Sequence, residues 1–187
     1  MSFNPANALT TLRLILVPFF VYAFLKDEKT AALVIFSVAG FTDLIDGTVA
    51  RLCGKSTKYG AILDPIADKL LVQSCFILLL VEGFIPIWFF VLAFARDIMI
   101  VSGIFYLEAK KAELPYKAVY ASKFATLFML TTAVLALVRL LDPAWADASS
   151  KLAMWQTGFM LASAVLVVVS AAQYIKIGLA FLRKSGS

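Results

Sequence analysis

The sequence has few charged residues and no segment that resembles a linker. Only 16% of the 187 residues are charged, whereas 62% are hydrophobic, and the mean hydropathy is +0.91. These values exclude a water-soluble domain of ordinary composition and predict an integral membrane protein. Neither a Pro/Gly/Ser-rich stretch nor an internal repeat divides the chain. Residues 1–187 are therefore predicted to form a single membrane domain.

The chain also has little cysteine, which excludes two further classes of structure. Cys53 lies in a polar connection, and Cys75 lies within an apolar stretch. Two cysteines placed in this way provide neither a disulfide framework nor the spacing of a thiolate metal site. We interpret both as inert small residues.

Six apolar stretches predict an all-α fold, an integral membrane bundle of six transmembrane helices. The predicted spans run from about Thr10 to Leu25, Thr30 to Arg51, Tyr59 to Gly83, Pro86 to Leu107, Lys117 to Leu141 and Leu152 to Leu182. Arg13 is expected at the membrane interface. Six spans place both termini on the same side of the membrane.

The distribution of basic residues predicts which side that is. One face has only Lys26, Lys29, Arg139 and Lys151, whereas most other lysines and arginines lie on the face that holds the termini. The positive-inside rule therefore predicts a multi-pass protein of the cell membrane with its termini in the cytoplasm. The basic face would also attract anionic lipid headgroups or a phosphorylated substrate.

Four aspartates lie in otherwise apolar helical sequence at the cytoplasmic level. Asp43 and Asp46 are three residues apart, and Asp64 and Asp68 are four apart, so each pair shares one face of its helix. A carboxylate in hydrocarbon costs about 2.5–3.5 kcal/mol even on insertion scales. Four carboxylates together would repel one another unless cations neutralised them. The arrangement therefore predicts a site for divalent metal ions.

The residues around these aspartates form an extended motif. It runs Asp43-Leu-Ile-Asp46-Gly47-Thr-Val-Ala50-Arg51 and continues, after a polar connection, as Gly60-Ala-Ile-Leu-Asp64-Pro-Ile-Ala-Asp68. This motif resembles the signature of the CDP-alcohol phosphatidyltransferases, a family with a six-helix membrane fold. The segment Asn7-Ala-Leu-Thr10-Thr-Leu-Arg13 is similar to the usual start of the first helix in that family.

The resemblance implies a metal-dependent phosphatidyl transfer. The four aspartates would form the metal site, in which Asp43, Asp46 and Asp64 are the main ligands of two Mg²⁺ or Mn²⁺ ions, because hard oxygen donors suit hard cations. Asp68 resembles the general base of the family and would take the proton of the acceptor hydroxyl. The activated oxygen would attack the phosphorus attached to diacylglycerol, and CMP would leave.

The residues between the aspartates are predicted to bind the nucleotide of CDP-diacylglycerol. Gly47 and Ala50 leave space against the helix, Gly60 belongs to the same motif, and Arg51 would pair with a phosphate oxygen. The alternative for Gly47 and Ala50 is helix packing by small residues. For Arg51 the alternative is an anchor at the membrane interface.

Two cations within predicted spans are candidates for the phosphate of an acceptor. These are Arg96 and Lys123, since a charged acceptor requires a cation. Arg96 has an equally simple alternative role, which is to neutralise its neighbour Asp97. Lys69, next to Asp68, would either temper the acidic cluster or extend to the interface.

The acceptor alcohol remains open between two candidates. The segment from Asp64 to Lys69 is similar to the phosphatidylglycerophosphate synthases, which use glycerol 3-phosphate, but cardiolipin synthases that use a CDP-lipid are similar there too. The segment from Arg96 to Tyr106 is closer to cardiolipin synthases that use phosphatidylglycerol. A basic residue typical of the first group is absent after Gly103. We expect glycerol 3-phosphate first, because that activity is the more widespread, with phosphatidylglycerol as the alternative.

The sequence also bears on the partners of the protein and on two other function classes. The resemblance implies a homodimer, and membrane lipids rather than nucleic acid are the expected surroundings. Intramembrane carboxylates would also suit a cation transporter, but a transporter has no need of glycine, alanine and arginine at these intervals. A non-catalytic lipid-binding relative would be expected to have lost an aspartate, and all four are present.

Overall fold

The computed structural model describes the backbone of residues 5–40, 58–109 and 120–185, and the side chains of residues 11–40, 69–102 and 121–175. Over these ranges the secondary structure consists of helices and the turns that join them, without strands. The helices are α1 (Pro5–Leu25), α2 (Lys29–Gly40), α3 (Lys58–Val81), α4 (Ile87–Ala109), α5 (Tyr120–Arg139), α6 (Pro143–Ala146) and α7 (Lys151–Ser185). The predicted all-α class is confirmed, whereas the second predicted span extends past residue 40 and lies partly outside the described residues.

Within the part of the chain that the structure describes, two helical segments are long and apolar enough to cross a membrane. They are Ala121–Arg139 in α5 and Lys151–Ile175 in α7. Three shorter apolar segments lie within α1, α2 and α3, at Thr11–Leu25, Lys29–Gly40 and Lys69–Val81. A bundle of six spans therefore stays a prediction.

The chain turns after α1 and after α3 at residues with left-handed backbone conformations. Gly83 has a φ of 78° after α3, and the N–H of Phe84 donates to the carbonyl of Leu79 at 2.9 Å. Asp27 has a φ of 62° after α1, and the N–H of Glu28 donates to the carbonyl of Ala23 at 2.9 Å. Both turns satisfy carbonyls at a helix end in the manner of a Schellman motif. They reverse the chain within a few residues.

The short helix α6 was not predicted from the apolar pattern. It begins after Asp142, whose side chain accepts a hydrogen bond from the Ala144 N–H at 2.8 Å, and Pro143 occupies its first position. An N-cap aspartate followed by proline is a local signal for a helix start, which hydropathy does not register. The Ser150 hydroxyl likewise accepts from the Ala153 N–H at 3.1 Å at the start of α7.

Small and aromatic side chains fill the space between the helices. Helix α5 packs along α7, α1 packs along α3, and α4 contacts both α3 and α7. The Phe20 and Phe36 rings lie 5.7 Å apart and join α1 to α2, and the Phe76 and Phe89 rings, also 5.7 Å apart, join α3 to α4. Small side chains let the helix backbones approach each other closely, and such residues are buried on α5. They are Ala125, Thr132, Ala133 and Ala136.

Large apolar side chains remain exposed on the outer faces of the helices. Tyr22 on α1, Val81 on α3 and Trp155 on α7 are each more than 60% exposed. An exposed apolar surface on every long helix is unfavourable in water. It fits helices that are surrounded by lipid.

Arg139 joins three parts of the chain at the end of α5. Its side chain is buried, and its Nη1 donates to the Gln156 amide oxygen at 2.6 Å while Nη2 donates to the Ala146 carbonyl at 2.7 Å. The Gln156 Nε2 donates in turn to the Phe84 carbonyl at 2.7 Å, and the guanidinium lies 5.0 Å from the centre of the Phe84 ring. We call Arg139, Gln156 and their carbonyl partners the Arg139 cluster. It links α5, α7 and the turn after α3.

We expect the Arg139→Met substitution to lower the free energy of unfolding by about 2–4 kcal/mol, because several hydrogen bonds to a buried charged group are lost. Thermal unfolding in detergent would measure the change. Lys151→Gln is the matched control, since Lys151 is exposed and a surface substitution changes stability by about 0.5 kcal/mol or less. Equal unfolding temperatures for Arg139→Met and the parent would contradict a stabilising role.

Candidate active site

The predicted catalytic aspartates fall partly within the described structure. Positions 64 and 68 lie on α3, one helical turn apart, and position 60 lies in the first turn of the same helix. Their side chains are outside the described set, as are Asp43, Asp46, Gly47, Ala50 and Arg51 in full. The helical register nevertheless places positions 64 and 68 on the same face of α3. This spacing fits two carboxylates that share one metal site.

Asp97 connects α4 to α3, the helix that carries positions 64 and 68. The Lys69 Nζ donates to Asp97 Oδ1 at 2.6 Å, and the Gln73 Nε2 donates to Asp97 Oδ2 at 2.9 Å. Lys69 and Gln73 are one turn apart on α3, so a single carboxylate of α4 binds two successive turns. From the sequence, Lys69 was not expected to pair with Asp97, and no role was predicted for Gln73. The one signal for a role of Gln73 was its position, as a neutral polar residue one helical turn after Lys69.

Arg96 continues the connection from α4 to α5. Its Nη1 donates to Asp97 Oδ1 at 2.8 Å, which confirms the alternative in which Arg96 pairs with its neighbour. Its Nη2 lies within hydrogen-bond distance of the hydroxyls of Ser122 and Thr126, both at 2.8 Å. We call Lys69, Gln73, Arg96 and Asp97, with these two hydroxyls, the Asp97 cluster. It holds three helices together.

The Asp97 cluster is shielded from solvent to different degrees. The side chains of Asp97 and Arg96 are 7% and 4% exposed, whereas that of Lys69 is 30% exposed. Removing an ion pair from water costs free energy that is recovered only with good geometry and further hydrogen bonds. Both carboxylate oxygens of Asp97 are engaged, and both terminal nitrogens of Arg96 are engaged. The Asp97 carboxylate therefore has the further hydrogen bonds that offset the cost of burying its ion pair.

Two polar atoms in the Asp97 cluster have no hydrogen-bond partner among the described residues. They are the Arg96 Nε and the Gln73 Oε1. One is a donor and the other an acceptor, and a buried water molecule commonly satisfies such groups.

Two other cations of the sequence analysis occupy contrasting positions. Lys123 is exposed at the beginning of α5, next to Ser122. Arg13 was predicted at the membrane interface, but its side chain is only 4% exposed and takes part in polar or electrostatic interactions. Its position at the interface stays a prediction, whereas its burial could not be predicted, because packing against neighbouring helices cannot be read from hydropathy along one helix. Arg13 is thus held by the protein.

No group of three or more Cys, Asp or Glu side chains that could hold a metal ion occurs within the described parts of the chain. All four predicted metal ligands lie outside the described side chains. Their donor chemistry fits Mg²⁺ or Mn²⁺, since carboxylate oxygens are the ligands that these ions prefer. The metal site therefore stays a prediction.

An open cavity of about 1050 Å³ lies at the other end of the molecule. Its lining includes Asp27, Glu28, Glu82 and Phe84. Glu82 follows the last residue of α3, about 20 Å along the helix from position 68. The cavity is thus remote from the predicted chemistry and borders the Arg139 cluster.

Comparison with known proteins bears on both the fold and the site. The sequence model of the CDP-alcohol phosphatidyltransferase family matches residues 3–169. The chain is 34% identical over 110 residues to the cardiolipin synthase (CMP-forming) of Rattus norvegicus, which covers 58% of this chain and 36% of that protein. It is 42% identical over 101 residues to the probable phosphatidylglycerophosphate synthase of Mycobacterium tuberculosis, covering 51% of this chain and 48% of the relative.

A further relative is the CDP-diacylglycerol–glycerol-3-phosphate 3-phosphatidyltransferase of Escherichia coli. It is 47% identical over 81 residues, which are 42% of this chain and 44% of the relative. The matches thus span less than half the length of each of these three relatives. The family match, in contrast, includes the aspartate motif, the Asp97 cluster and most of α7. On that match the chain belongs to the CDP-alcohol phosphatidyltransferase family.

Proposed function

We propose that the chain is a membrane enzyme that transfers a phosphatidyl group from CDP-diacylglycerol to a glycerol-type alcohol and releases CMP. The observation that carries this proposal is the complete aspartate motif within a family match that covers nearly the whole chain. The family match speaks against a cation transporter. The presence of all four aspartates speaks against a non-catalytic relative.

The proposed chemistry assigns a separate task to each group of residues. Asp43, Asp46 and Asp64 would hold two Mg²⁺ or Mn²⁺ ions, which when bound supply positive charge against the diphosphate. Gly47, Ala50 and Gly60 would leave room for the nucleotide, and Arg51 would bind a phosphate oxygen. Asp68 would accept the proton of the acceptor hydroxyl while that oxygen attacks the phosphorus. The CMP leaving group then departs with the bonding electron pair.

Glycerol 3-phosphate is the acceptor that we propose first, and phosphatidylglycerol is the alternative. Relatives named for each activity match this chain. Of the three relatives compared above, the two named for glycerophosphate chemistry have the higher identities, 42% and 47% against 34%, over shorter segments of 101 and 81 residues against 110. The basic residue that phosphatidylglycerophosphate synthases tend to carry late in the fourth helix is absent after Gly103, and this absence favours the alternative. The identity of the acceptor alcohol therefore has to be determined by an activity assay.

Lys123 is the stronger of the two candidates for an acceptor phosphate. It is exposed, whereas the terminal nitrogens of Arg96 already bind Asp97 and hydroxyls of α5. A buried guanidinium that is engaged in this way would have to exchange protein partners for a phosphate. An exposed ammonium loses only water.

The proposed setting is the cell membrane, with six spans and the active site on the cytoplasmic side. The excess of lysine and arginine on one face supports this orientation. A homodimer is proposed from the family resemblance alone.

We expect purified protein to release CMP from CDP-diacylglycerol with glycerol 3-phosphate when Mg²⁺ or Mn²⁺ is present. A chelator should abolish release, and added metal should restore it. Release with phosphatidylglycerol alone would assign the cardiolipin synthase activity instead. Failure to release CMP with either acceptor would contradict the proposed reaction.

The Asp68→Asn substitution should reduce turnover at least about 100-fold, because a general base contributes 10²–10⁴-fold to rate. Binding of CDP-diacylglycerol, measured by titration in detergent, should persist. Asp27→Asn is the matched control, since Asp27 is an exposed aspartate at the opposite end and asparagine also accepts its left-handed backbone. Parental turnover by Asp68→Asn would remove the base assignment.

The Arg96→Lys substitution should lower the free energy of unfolding without substrate by about 1–3 kcal/mol, because a single ammonium does not reproduce the two terminal nitrogens through which Arg96 binds Asp97 and the α5 hydroxyls. Lys123→Gln should leave stability unchanged and raise the KM for glycerol 3-phosphate but not for CDP-diacylglycerol. Thermal unfolding and steady-state kinetics would measure both. A stable Arg96→Lys protein with a raised acceptor KM would transfer the phosphate contact to Arg96.

A further inference from the structure

The open cavity of about 1050 Å³ is lined by three segments that meet at the end of the molecule away from positions 64 and 68. These segments are the turn from α1 into α2, the turn after α3, and the chain that leads from α5 into α6. The proposed reaction gives this cavity no part. Ligand pockets have volumes of about 300–1,000 Å³, so the cavity is large enough to hold a lipid headgroup.

Two carboxylates of the cavity lining are not used by the fold. Among the described residues, the side chains of Glu28 and Glu82 have neither an ion-pair nor a hydrogen-bond partner, and both residues are exposed. Asp27, a third acidic residue of the lining, is instead paired with Lys29 at 3.1 Å. The lining therefore has two negative charges without a partner, which a cationic ligand would complement.

The start of α2 gives the same cavity groups that bind an anion. The Ala32 N–H donates to the Glu28 carbonyl at 3.0 Å, so Glu28 is the N-cap residue of α2. The N–H groups that follow an N-cap have no acceptor within the helix and carry partial positive charge. In α2 they belong to Lys29, Thr30 and Ala31, and all three residues line the cavity. A helix start of this kind suits a phosphate group.

The remaining wall of the cavity is largely apolar. It includes Val34 and Ile35 on α2, Phe84 after α3, and Leu140 and Leu141 after α5. Val34 is 54% exposed, so part of this wall is open to the surroundings of the protein. A metal ion or a small polar solute would leave an apolar wall unused. Acidic, anion-binding and apolar groups in one cavity instead match an amphiphile that carries charges of both signs.

We propose that this cavity binds a phospholipid whose headgroup carries a primary ammonium. The ammonium donates to Glu28 and Glu82, the phosphate accepts from the start of α2, and the glycerol and upper acyl chains contact the apolar wall. In the proposed orientation, this lipid belongs to the leaflet opposite the active site. The inference goes beyond the proposed reaction, because the bound lipid is not a substrate.

The number of hydrogen-bond donors distinguishes this lipid from others. A primary ammonium has three N–H donors for carboxylate oxygens, whereas the quaternary ammonium of a choline headgroup has none. A phospholipid with a net negative headgroup would be repelled by the two carboxylates. Phosphatidylethanolamine and phosphatidylcholine with identical acyl chains therefore form a matched pair of probes.

The test measures the lipids retained by the full-length protein in detergent, by native mass spectrometry after incubation with equal amounts of the two probes. We expect the parent to retain about 10-fold more phosphatidylethanolamine than phosphatidylcholine, because hydrogen bonds to charged groups contribute free energy equivalent to about that ratio of affinities. Retention of neither lipid, or of both equally, would contradict the proposal.

The variant Glu28→Gln/Glu82→Gln removes both charges and keeps the size of the side chains. It should retain the two lipids about equally, and its thermal unfolding should match that of the parent, since neither side chain binds a described residue. The two single variants make the same test if the double variant does not fold. A parental preference for phosphatidylethanolamine in these variants would show that the ammonium does not bind in this cavity.

The matched control is Asp142→Asn/Asp147→Asn. It removes two negative charges from the same end of the molecule, but neither aspartate lines the cavity. Both side chains accept backbone N–H hydrogen bonds, which asparagine also accepts. The control should keep the parental preference for phosphatidylethanolamine. Loss of the preference in the control would attribute lipid selection to the net charge of this end and would overturn the cavity as the site.

Discussion

The carboxylate of Asp97 is the contact on which the arrangement of α3, α4 and α5 depends. It accepts hydrogen bonds from two turns of α3, and its ion pair with Arg96 carries the connection on to α5. In a chain this apolar, packing alone tolerates sliding and rotation of helices, because lipid and side chains are chemically alike. Directional bonds to one buried carboxylate remove that freedom. The helix that carries Asp64 and Asp68 is fixed by them.

At the opposite end of the bundle, neutral carbonyl and amide groups take the place of a carboxylate. Arg139 donates to backbone carbonyls and to the Gln156 amide, and Gln156 binds the turn after α3. Between the two clusters α5 and α7 are held by close packing, with Thr132 on α5 and Ser163 and Ser170 on α7 fully buried. Both Ser163 and Ser170 donate to carbonyls of their own helix. Side-chain hydrogen bonds that join different helices are therefore concentrated at the two ends of the bundle.

The existence and order of the long helices could be predicted from hydropathy, and α3 begins one residue before the predicted start at Tyr59. The helix α6 could not, because it depends on a local cap at Asp142. The aspartate motif gave the family, which the family match confirmed. The pairing of Arg96 with its neighbour Asp97 was predicted as an alternative, whereas the α5 hydroxyls that Arg96 binds and the Lys69–Asp97 contact, which joins residues 28 positions apart, could not be predicted. One chain alone contains no signal for such a pair.

The difference between the two ends bears on why an ion pair, rather than a neutral network, lies beside the predicted site. Replacing a buried ion pair with apolar residues is often neutral or stabilising, so stability alone does not explain Asp97. The Arg139 cluster shows that this fold closes a helix end with carbonyl and amide acceptors. The Asp97 carboxylate instead balances the charges of two cations, Lys69 and Arg96. A neutral acceptor would leave those two charges unbalanced at the end of α3 that leads to positions 64 and 68.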